Sequence, residues 1–372
     1  MTKGVRVLVV DDSALMRQMV SRFLTEAGFT VVGTAANGRL GLEKALALRP
    51  DVITLDVEMP EMNGLDMLRL LMAQAPTPVV MLSGLTQAQA PAAVEALALG
   101  AVDVVAKPGG AAISLQLGDV RDELVQKVAA AARSRPRGGA LPSRPYPRPV
   151  QTPGKAAGPE AGGPAGSGPA GAPPVGVIVI GCSTGGPGAL SVVIPQLPQD
   201  YPWTVLVVQH MPPGFTASLA RRLDDMSAVP VQEAQDGVKP GAGEVWIAPG
   251  GRHLIMDAAG VLRLTEDPPV HGVRPAVDLT LVSTAAVWRR RVVAVIMTGM
   301  GRDGARGAEA VKAAGGRVLA QDEASSVVFG MPRVVIEQGL ADEVLSLDDM
   351  AQALACLEAP GVPVGGGRCV QA

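Results

Sequence analysis

The chain has 372 residues, of which 48% are hydrophobic and 18% charged, and its formal net charge is -3 at pH 7. This length predicts two domains with separate cores, and the composition excludes a wholly disordered or fibrous protein. The small net charge offers no overall electrostatic basis for binding nucleic acid. No apolar run approaches the roughly 18 residues that span a bilayer, and the N-terminus has no signal-peptide pattern. We therefore expect a cytoplasmic protein that neither binds nucleic acid nor inserts into a membrane.

Short β-branched runs alternate with Ala/Leu-rich amphipathic stretches over residues 1–133. The runs predict five strands, at residues 5–10, 30–33, 52–55, 79–82 and 102–106. Parallel strands need crossover connections, and both faces of their sheet must be covered. The alternation therefore predicts a doubly wound, parallel α/β domain.

The composition changes at residues 134–174, which are rich in Pro and Gly and almost lack large apolar side chains. Such a segment cannot bury enough surface to fold, so we interpret it as a flexible linker. Strand-like runs return after it, interleaved with helix-like stretches: VGVIVIG, TVLVVQ, VWIA and RRVVAVIM. They predict a second doubly wound α/β domain over residues 175–358, followed by a tail at 359–372.

Polar residues stand where the strands of the first domain end. Asp11 and Asp12 follow the first strand, Asp56 the third, Ser83 the fourth and Lys107 the fifth. Ligand-binding and catalytic residues of such sheets lie at the carboxyl ends of the strands. Three carboxylates there repel one another unless a hard cation is present, so the pattern predicts a Mg²⁺ site. The alternative, that these residues only cap helices, leaves Lys107 unexplained.

The segments VVDDS, LDVEMPEMNG, MLSG and AKP make residues 1–130 resemble the response-regulator receiver family. The resemblance implies that Asp56 accepts a phosphoryl group from a histidine kinase. It also implies that Ser83 and Lys107 contact the phosphoryl oxygens. The ligands implied for Mg²⁺ are Asp11, Asp12, Asp56 and the backbone carbonyl of Glu58.

A second constellation of polar residues lies in the second domain. Ser183 stands in a G-x-S-x-G context between a strand and a predicted helix, a turn that projects the hydroxyl group. His210 follows TVLVVQ, and Asp303 follows RRVVAVIM and a glycine-rich loop. If the strands are neighbours, these three side chains meet at one edge. They would then act as nucleophile, general base and the carboxylate that orients the base.

Each of these residues also has a simpler interpretation. The loop around Ser183 could cradle a phosphate, and Asp303 could cap a helix. We interpret His253 and His271 as loop or edge residues, and Cys182 as a packed small residue. The combination of three residue types at three strand ends favours hydrolytic chemistry.

The segments GCSTGGP, VVQHMPPGF, VRPAVD and MTGMGRDGARG resemble the catalytic domain of the CheB family, whose members are chemotaxis protein-glutamate methylesterases and glutamine deamidases. The resemblance implies catalysis by Ser183, His210 and Asp303. It implies that Thr184 and a backbone N–H near Met300 support the oxyanion, with no cofactor in this domain. It further implies methyl-accepting chemoreceptors as substrates, a chemotaxis histidine kinase as phosphodonor, and inhibition by the unphosphorylated receiver.

Two alternatives of different classes remain at this point. One is a receiver-regulated serine hydrolase that acts on another ester or amide, since a fold and a triad do not name a substrate. The other is a phosphorylation-switched binding module without catalysis. A DNA-binding module of that kind is disfavoured, because the second half has no helix-turn-helix pattern and no basic recognition helix.

Overall fold

The structure is a computed structural model, and it describes residues 4–84, 90–107, 113–134 and 173–357. The predicted linker at 134–174 lies outside the described residues except at its two ends, and so does the predicted tail at 359–372. We call residues 4–134 the first domain and residues 173–357 the second domain. None of the helices in the described part of the chain is long and apolar enough to cross a membrane.

The first domain contains a five-stranded parallel sheet with helices on both faces. Its strands are β1 Arg6–Val10, β2 Thr30–Ala35, β3 Val52–Asp56, β4 Val79–Ser83 and β5 Asp103–Ala106. Its helices are α1 Ala14–Glu26, α2 Gly38–Leu48, α3 Gly64–Gln74, α4 Ala90–Ala98 and α5 Ile113–Ala131. The strand order is β2-β1-β3-β4-β5, and every pair is parallel. The predicted doubly wound fold is thus confirmed.

The sequence explains these elements locally. The central strands are continuous apolar runs because both faces of a parallel sheet are covered, and β3 and β4 are buried along their whole length. Polar N-caps set the starts of the helices. The side chains of Ser13, Asn37 and Asn63 accept hydrogen bonds from the first turns of α1, α2 and α3. These caps place each helix directly after a strand or its loop, so the strand ends stay open for polar residues.

The second domain contains a seven-stranded sheet and a separate hairpin. The strands are β6 Val177–Cys182, β7 Thr204–Gln209, β8 Val231–Glu233, β9 Val245–Ile247, β10 His253–Met256, β11 Leu262–Thr265, β12 Val292–Ile296, β13 Arg317–Gln321 and β14 Glu343–Leu345. The helices are α6 Gly186–Val193, α7 Phe215–Met226, α8 Val277–Trp288, α9 Ala305–Ala313, α10 Met331–Glu337 and α11 Leu347–Ala355. The main sheet has the order β14-β13-β12-β6-β7-β9-β8 and is parallel throughout.

The second domain differs from the sequence prediction in two respects. The four predicted strands are present, but the sequence did not predict β8, β13 and β14, nor the antiparallel pair of β10 and β11. His253, expected in a loop or at an edge, begins β10, and its side chain is fully buried. Its Nε2 lies 3.2 Å from the carbonyl oxygen of Pro268, and its Nδ1 accepts the N–H of Ala276 at 3.1 Å. The satisfied ring nitrogens give His253 a structural role.

Candidate functional site

A cluster of charged side chains lies at the carboxyl edge of the first sheet. The Lys107 Nζ is 2.8 Å from Asp11 Oδ2 and 2.7 Å from Asp56 Oδ2. Asp11 and Asp56 are buried, whereas Asp12 is exposed. One oxygen from each of the three carboxylates lies within 4.8 Å of the others. Three hard oxygen donors at this spacing fit Mg²⁺, which prefers carboxylate and water ligands.

The charges in this cluster are only partly balanced. Burial raises the pKa of Asp56 to about 6, because it outweighs the opposing effect of the Lys107 ammonium, and Asp11 and Asp12 add to the rise. Burial would lower the pKa of Lys107, but its bonds to Asp11 and Asp56 outweigh burial and raise it. Lys107 therefore stays charged, yet one cation faces three carboxylates. A divalent cation would supply the missing positive charge.

The two other residues predicted for this site lie at the same edge. Ser83 ends β4 and is buried, and its hydroxyl donates to the carbonyl of Gly84 at 3.3 Å. Glu58 is exposed two residues beyond the end of β3. Their predicted contacts with the phosphoryl group and with Mg²⁺ stay predictions.

The second sheet brings together the strands that precede Ser183, His210 and Asp303. β6 lies between β12 and β7, and Cys182 pairs with Gln209 at the ends of β6 and β7. Ser183 directly follows β6 and His210 directly follows β7. The N–H of His210 donates to the carbonyl of Cys182 at 3.1 Å. His210 Nε2 is 2.8 Å from Asp303 Oδ2. The predicted neighbourhood of the strands is confirmed, and the three residues share one edge.

The Asp303 carboxylate lies in a set of hydrogen-bond donors. Besides the His210 ring, it accepts the N–H of Val277 at 2.7 Å and the N–H of Asp278 at 2.9 Å. Burial would raise the pKa of Asp303, but the hydrogen bonds and the charge of His210 outweigh it and lower that pKa. An anion next to Nε2 holds the ring in one orientation and stabilises the imidazolium form. Nδ1 has no hydrogen-bond partner among the described residues, so it is the nitrogen left to face a hydroxyl.

Gln209 fixes the backbone of both Ser183 and His210. Its Nε2 donates to the carbonyl of Ser183 at 3.0 Å and to the carbonyl of His210 at 3.1 Å. The side chain is buried, and its Oε1 accepts from the Sγ of Cys182 at 3.1 Å. Burial raises the pKa of the Cys182 thiol, which fits the packed, unreactive residue we expected. Gln209 was not among the residues predicted from the sequence, although a polar residue at the end of an apolar strand was an available signal.

The glycine-rich loop after β12 lies close to the backbone of Ser183. The N–H of Ser183 donates to the carbonyl of Thr298 at 3.0 Å. A Cβ at Gly299 would lie 2.9 Å from the Cβ of Ser183, so only glycine allows this approach. The next residue, Met300, is half-buried, and its N–H has no acceptor among the described residues. That N–H is free to donate to a ligand, although its predicted oxyanion role stays a prediction.

The residues that follow Ser183 contact the first domain. The Thr184 hydroxyl donates to Asp103 Oδ2, and the Gly185 N–H donates to the Val102 carbonyl at 3.2 Å. Asp103 is the first residue of β5, and its Oδ1 is 3.1 Å from the Nζ of Lys127. The Thr184 hydroxyl, expected to support an oxyanion, is thus bonded to the first domain here. Asp103 was not predicted from the sequence, because a single acidic residue at the start of a strand belongs to no recognisable pattern.

Apolar packing extends this contact. α4 of the first domain packs against α6 and α7 of the second. One continuous buried cluster includes Val94 and Leu97 of α4 together with Leu190 of α6 and Leu219 of α7. Val327, in the loop after β13, packs against the other apolar cluster of the first domain. The first domain therefore packs against α6, the helix that begins three residues after Ser183.

These features define a class of protein: a receiver-type α/β domain packed against a second parallel α/β domain, at whose sheet edge a serine, a histidine and an aspartate lie close together. The family model described as "CheB methylesterase" matches residues 178–354, and the model described as "Response regulator receiver domain" matches residues 7–115. Since relatives at 47% and 52% identity align with 95% of this chain, the chain belongs to the CheB methylesterase family.

Both relatives carry the name protein-glutamate methylesterase/protein-glutamine glutaminase. The relative from Symbiobacterium thermophilum is 52% identical over 355 residues, which are 95% of this chain and 96% of the relative. The relative from Geobacillus kaustophilus is 47% identical over 360 residues, 95% of this chain and 99% of its own. The crystal structure of the Thermotoga maritima CheB methylesterase catalytic domain is 49% identical and covers 48% of this chain and 97% of its own, with a TM-score of 0.47. A receiver domain implies, in general, a phosphorylation site that binds Mg²⁺.

Proposed function

We propose that this protein removes methyl groups from glutamate γ-methyl esters of methyl-accepting chemoreceptors and deamidates specific receptor glutamines, and that phosphorylation of its receiver domain activates it. Family membership supports the substrate class. The observation that carries the chemistry is the 2.8 Å bond between His210 and Asp303 at the sheet edge from which Ser183 emerges. A base held in one orientation by a buried anion, next to a serine in a strand-to-helix turn, suits acyl transfer.

In the proposed reaction, His210 Nδ1 takes the proton of the Ser183 hydroxyl while the serine oxygen bonds to the γ-carbonyl carbon of the substrate. The Met300 N–H donates to the oxyanion that forms, an interaction commonly worth about 3 kcal/mol at such sites. The imidazolium returns its proton to the methoxy oxygen, the carbon–oxygen bond breaks, and methanol leaves. Water, activated by the same base, then hydrolyses the acyl-enzyme to a glutamate carboxylate and free serine.

Deamidation follows the same course with a different leaving group. A glutamine side chain presents the same γ-carbonyl, and the imidazolium protonates the departing nitrogen, so that ammonia leaves in place of methanol. Both substrates give the same acyl-enzyme on Ser183 and the same glutamate product. One site therefore suffices for both reactions.

We infer that the receiver domain inhibits the enzyme until a chemotaxis histidine kinase phosphorylates Asp56 in the cytoplasm. The bonds of Asp103 to Thr184 and of Val102 to Gly185 support this proposal, because they engage the two residues directly after Ser183. Asp11, Asp12, Asp56 and the Glu58 carbonyl would hold Mg²⁺, which neutralises negative charge on the phosphoryl group when bound. Lys107 would add a second positive charge, and Ser83 a hydrogen bond.

The experiment that tests this function measures methanol release from methylated receptor membranes, with and without a small phosphodonor. We expect release that increases with the phosphodonor and disappears in Ser183→Ala. Ser191→Ala is a matched control, since Ser191 lies on α6 and its hydroxyl donates to the Pro187 carbonyl. Most of the activity remaining in Ser183→Ala would refute the nucleophile. Ser183-dependent hydrolysis of a simple ester without methanol release would favour a hydrolase with another substrate.

A further inference from the structure

Helices α8 and α9 are each capped by a carboxylate that belongs to the other helix or to a residue just before it. Neither helix has a side-chain hydrogen bond from its own N-cap residue, Ala276 for α8 and Gly304 for α9. Instead, Asp303, which directly precedes Gly304, accepts the N–H groups of Val277 and Asp278, the first two residues of α8. The residue proposed to orient the catalytic base is therefore also the N-terminal cap of a neighbouring helix.

Asp278 makes the reverse contact. Its Oδ1 accepts the N–H of Gly304 at 2.9 Å and the N–H of Gly307 at 2.8 Å, at the start of α9. Its Oδ2 is 2.9 Å from the Nε2 of His271, and only 3% of its side chain is exposed. Asp278 thereby fastens the end of the loop that carries Met300 and Asp303 to the first turn of α8. This loop supplies both the carboxylate and the N–H donor of the proposed mechanism.

The two carboxylates are close enough to influence each other electrostatically. One carboxylate oxygen of Asp278, one of Asp303 and a ring nitrogen of His271 all lie within 4.8 Å of one another. Negative charges on two buried carboxylates at this distance repel, and the N–H groups of the two helix starts, together with the bonds to His210 and His271, offset that repulsion. Among the described residues, His271 and Asp303 are the ionisable groups that contact Asp278, with His210 beyond Asp303.

We propose that Asp278 is a positioning residue for the hydrolysis, which holds the loop of Met300 and Asp303 against α8 and adds a second negative charge behind His210. The proposal rests on the proposed function for its kinetic readout. It assigns Asp278 no contact with substrate. Its effect reaches the reaction through Asp303, whose carboxylate both receives the Asp278 N–H and bonds the His210 ring.

Asp278→Asn tests the proposal, because asparagine keeps one oxygen for the N–H groups of α9 and removes the charge. An imidazolium is less stable without that anion, so the acid limb of the pH profile of kcat/KM should move to lower pH by about 0.5 or more. We expect kcat to fall by roughly tenfold while KM changes less, since the base and the oxyanion donor act mainly in the transition state.

The matched control is Asp342→Asn. Asp342 also accepts a backbone N–H, from Val318 at 2.7 Å, and pairs with Lys312, but it precedes β14 and so lies at the opposite, amino end of the sheet. We expect this variant to lose stability with an unchanged pH profile. If Asp278→Asn behaves like Asp342→Asn, with lower stability and an unmoved acid limb, Asp278 is only a structural cap and the proposal is wrong.

A substrate-independent readout separates this proposal from the proposed function. The chain has three histidines, so the proton resonance of the His210 Nε2–H, which reports its bond to Asp303, can be assigned by its loss in His210→Gln. We expect it to shift upfield in Asp278→Asn and to stay in place in Asp342→Asn. That shift supports the positioning role even if the wild-type protein releases no methanol. Normal methanol release with an unmoved resonance in Asp278→Asn overturns the positioning role alone.

Discussion

The two parallel sheets of this protein each have a buried aspartate near the carboxyl edge, Asp56 in the first domain and Asp303 in the second. Folding shifts the pKa values of these two carboxyl groups in opposite directions. Burial dominates at Asp56 and raises its pKa to about 6, although Lys107 lies 2.7 Å away. At Asp303 the hydrogen-bond donors dominate, and the pKa falls below its usual range. Asp303 has donors from the first turn of a helix, whereas Asp56 shares one lysine with Asp11 and lies near Asp12 as well.

The difference shows how a fold can prepare the same residue type for different chemistry. A carboxylate held by N–H groups stays anionic and needs no cation, which suits a group that orients a base throughout a reaction. A carboxylate in an under-compensated cluster gains from any incoming positive charge, which suits a Mg²⁺-dependent phosphoryl acceptor. Four experiments test this comparison, and their expected effects decrease in the order given.

Asp303→Asn should reduce kcat for methanol release by about 10³ to 10⁴-fold, because the amide neither stabilises the imidazolium nor favours the same ring tautomer. The measurement is methanol release at saturating substrate. Uptake of phosphate by Asp56 from a small phosphodonor should stay normal in the same variant, which serves as the internal control. A loss of less than tenfold would mean that Asp303 is no more than a helix cap.

Asp56→Asn should abolish the stimulation of methanol release by a phosphodonor and leave the unstimulated rate near that of the wild type. The side-chain shape is kept, but the amide cannot form the acyl phosphate. The ratio of rates with and without phosphodonor is the measured quantity. Asp51→Asn, at an exposed position just before β3, is the matched control. Stimulation that persists in Asp56→Asn would place the acceptor elsewhere.

Asp103→Asn should raise the unphosphorylated rate by roughly fivefold, as expected for weakening one charged hydrogen bond by about 1 kcal/mol. Burial would lower the pKa of Lys127, but nearby carboxylates, including that of Asp103, raise it. The Lys127 ammonium therefore stays charged beside the Asp103–Thr184 bond. Asp122→Asn, an exposed change on α5, should have no effect. An unchanged unphosphorylated rate in Asp103→Asn would show that the Asp103–Thr184 bond does not restrain the site.

The smallest effect is a pH-dependent difference in stability. A carboxyl group whose pKa is lowered on folding stabilises the native state above its unfolded pKa, near 3.8, and loses that contribution as the pH falls through the folded value. The wild type should therefore exceed Asp303→Asn by roughly 0.5–1 kcal/mol in free energy of unfolding at pH 6, because asparagine keeps an oxygen acceptor, and the excess should shrink below pH 3.8. Urea denaturation between pH 3 and pH 7 measures it, with exposed Asp200→Asn as the control. A pH-independent excess would contradict the anionic state of Asp303.

Much of the fold could be predicted where strands are long and buried on both faces. All five predicted strands of the first domain and all four predicted strands of the second are present, because most of them are continuous β-branched runs. The exception is β13, which was not predicted although four of its five residues are buried. The short strands β8 and β14 have few buried residues, and the burial of β10 and β11 follows neither a continuous nor an alternating pattern, so their local patterns are weak. These elements form because neighbouring strands offer them hydrogen-bond partners.

The order of residues was enough to predict that Ser183 and His210 directly follow strands and that Asp303 lies in the loop after another strand, and a parallel sheet brings such positions to a shared edge. Strand ends can be predicted from local spacing, because the periodicity of apolar residues that marks a strand or a helix is visible within a few consecutive residues. Three contacts could be seen only in the folded chain: Asp278 caps the helix after Asp303, Gln209 donates to the carbonyls of Ser183 and His210, and Asp103 accepts from Thr184 across the two domains. The physical reason is range: a hydrogen bond acts over about 3 Å, and residues far apart in the chain reach that distance only after the sheets and helices have packed.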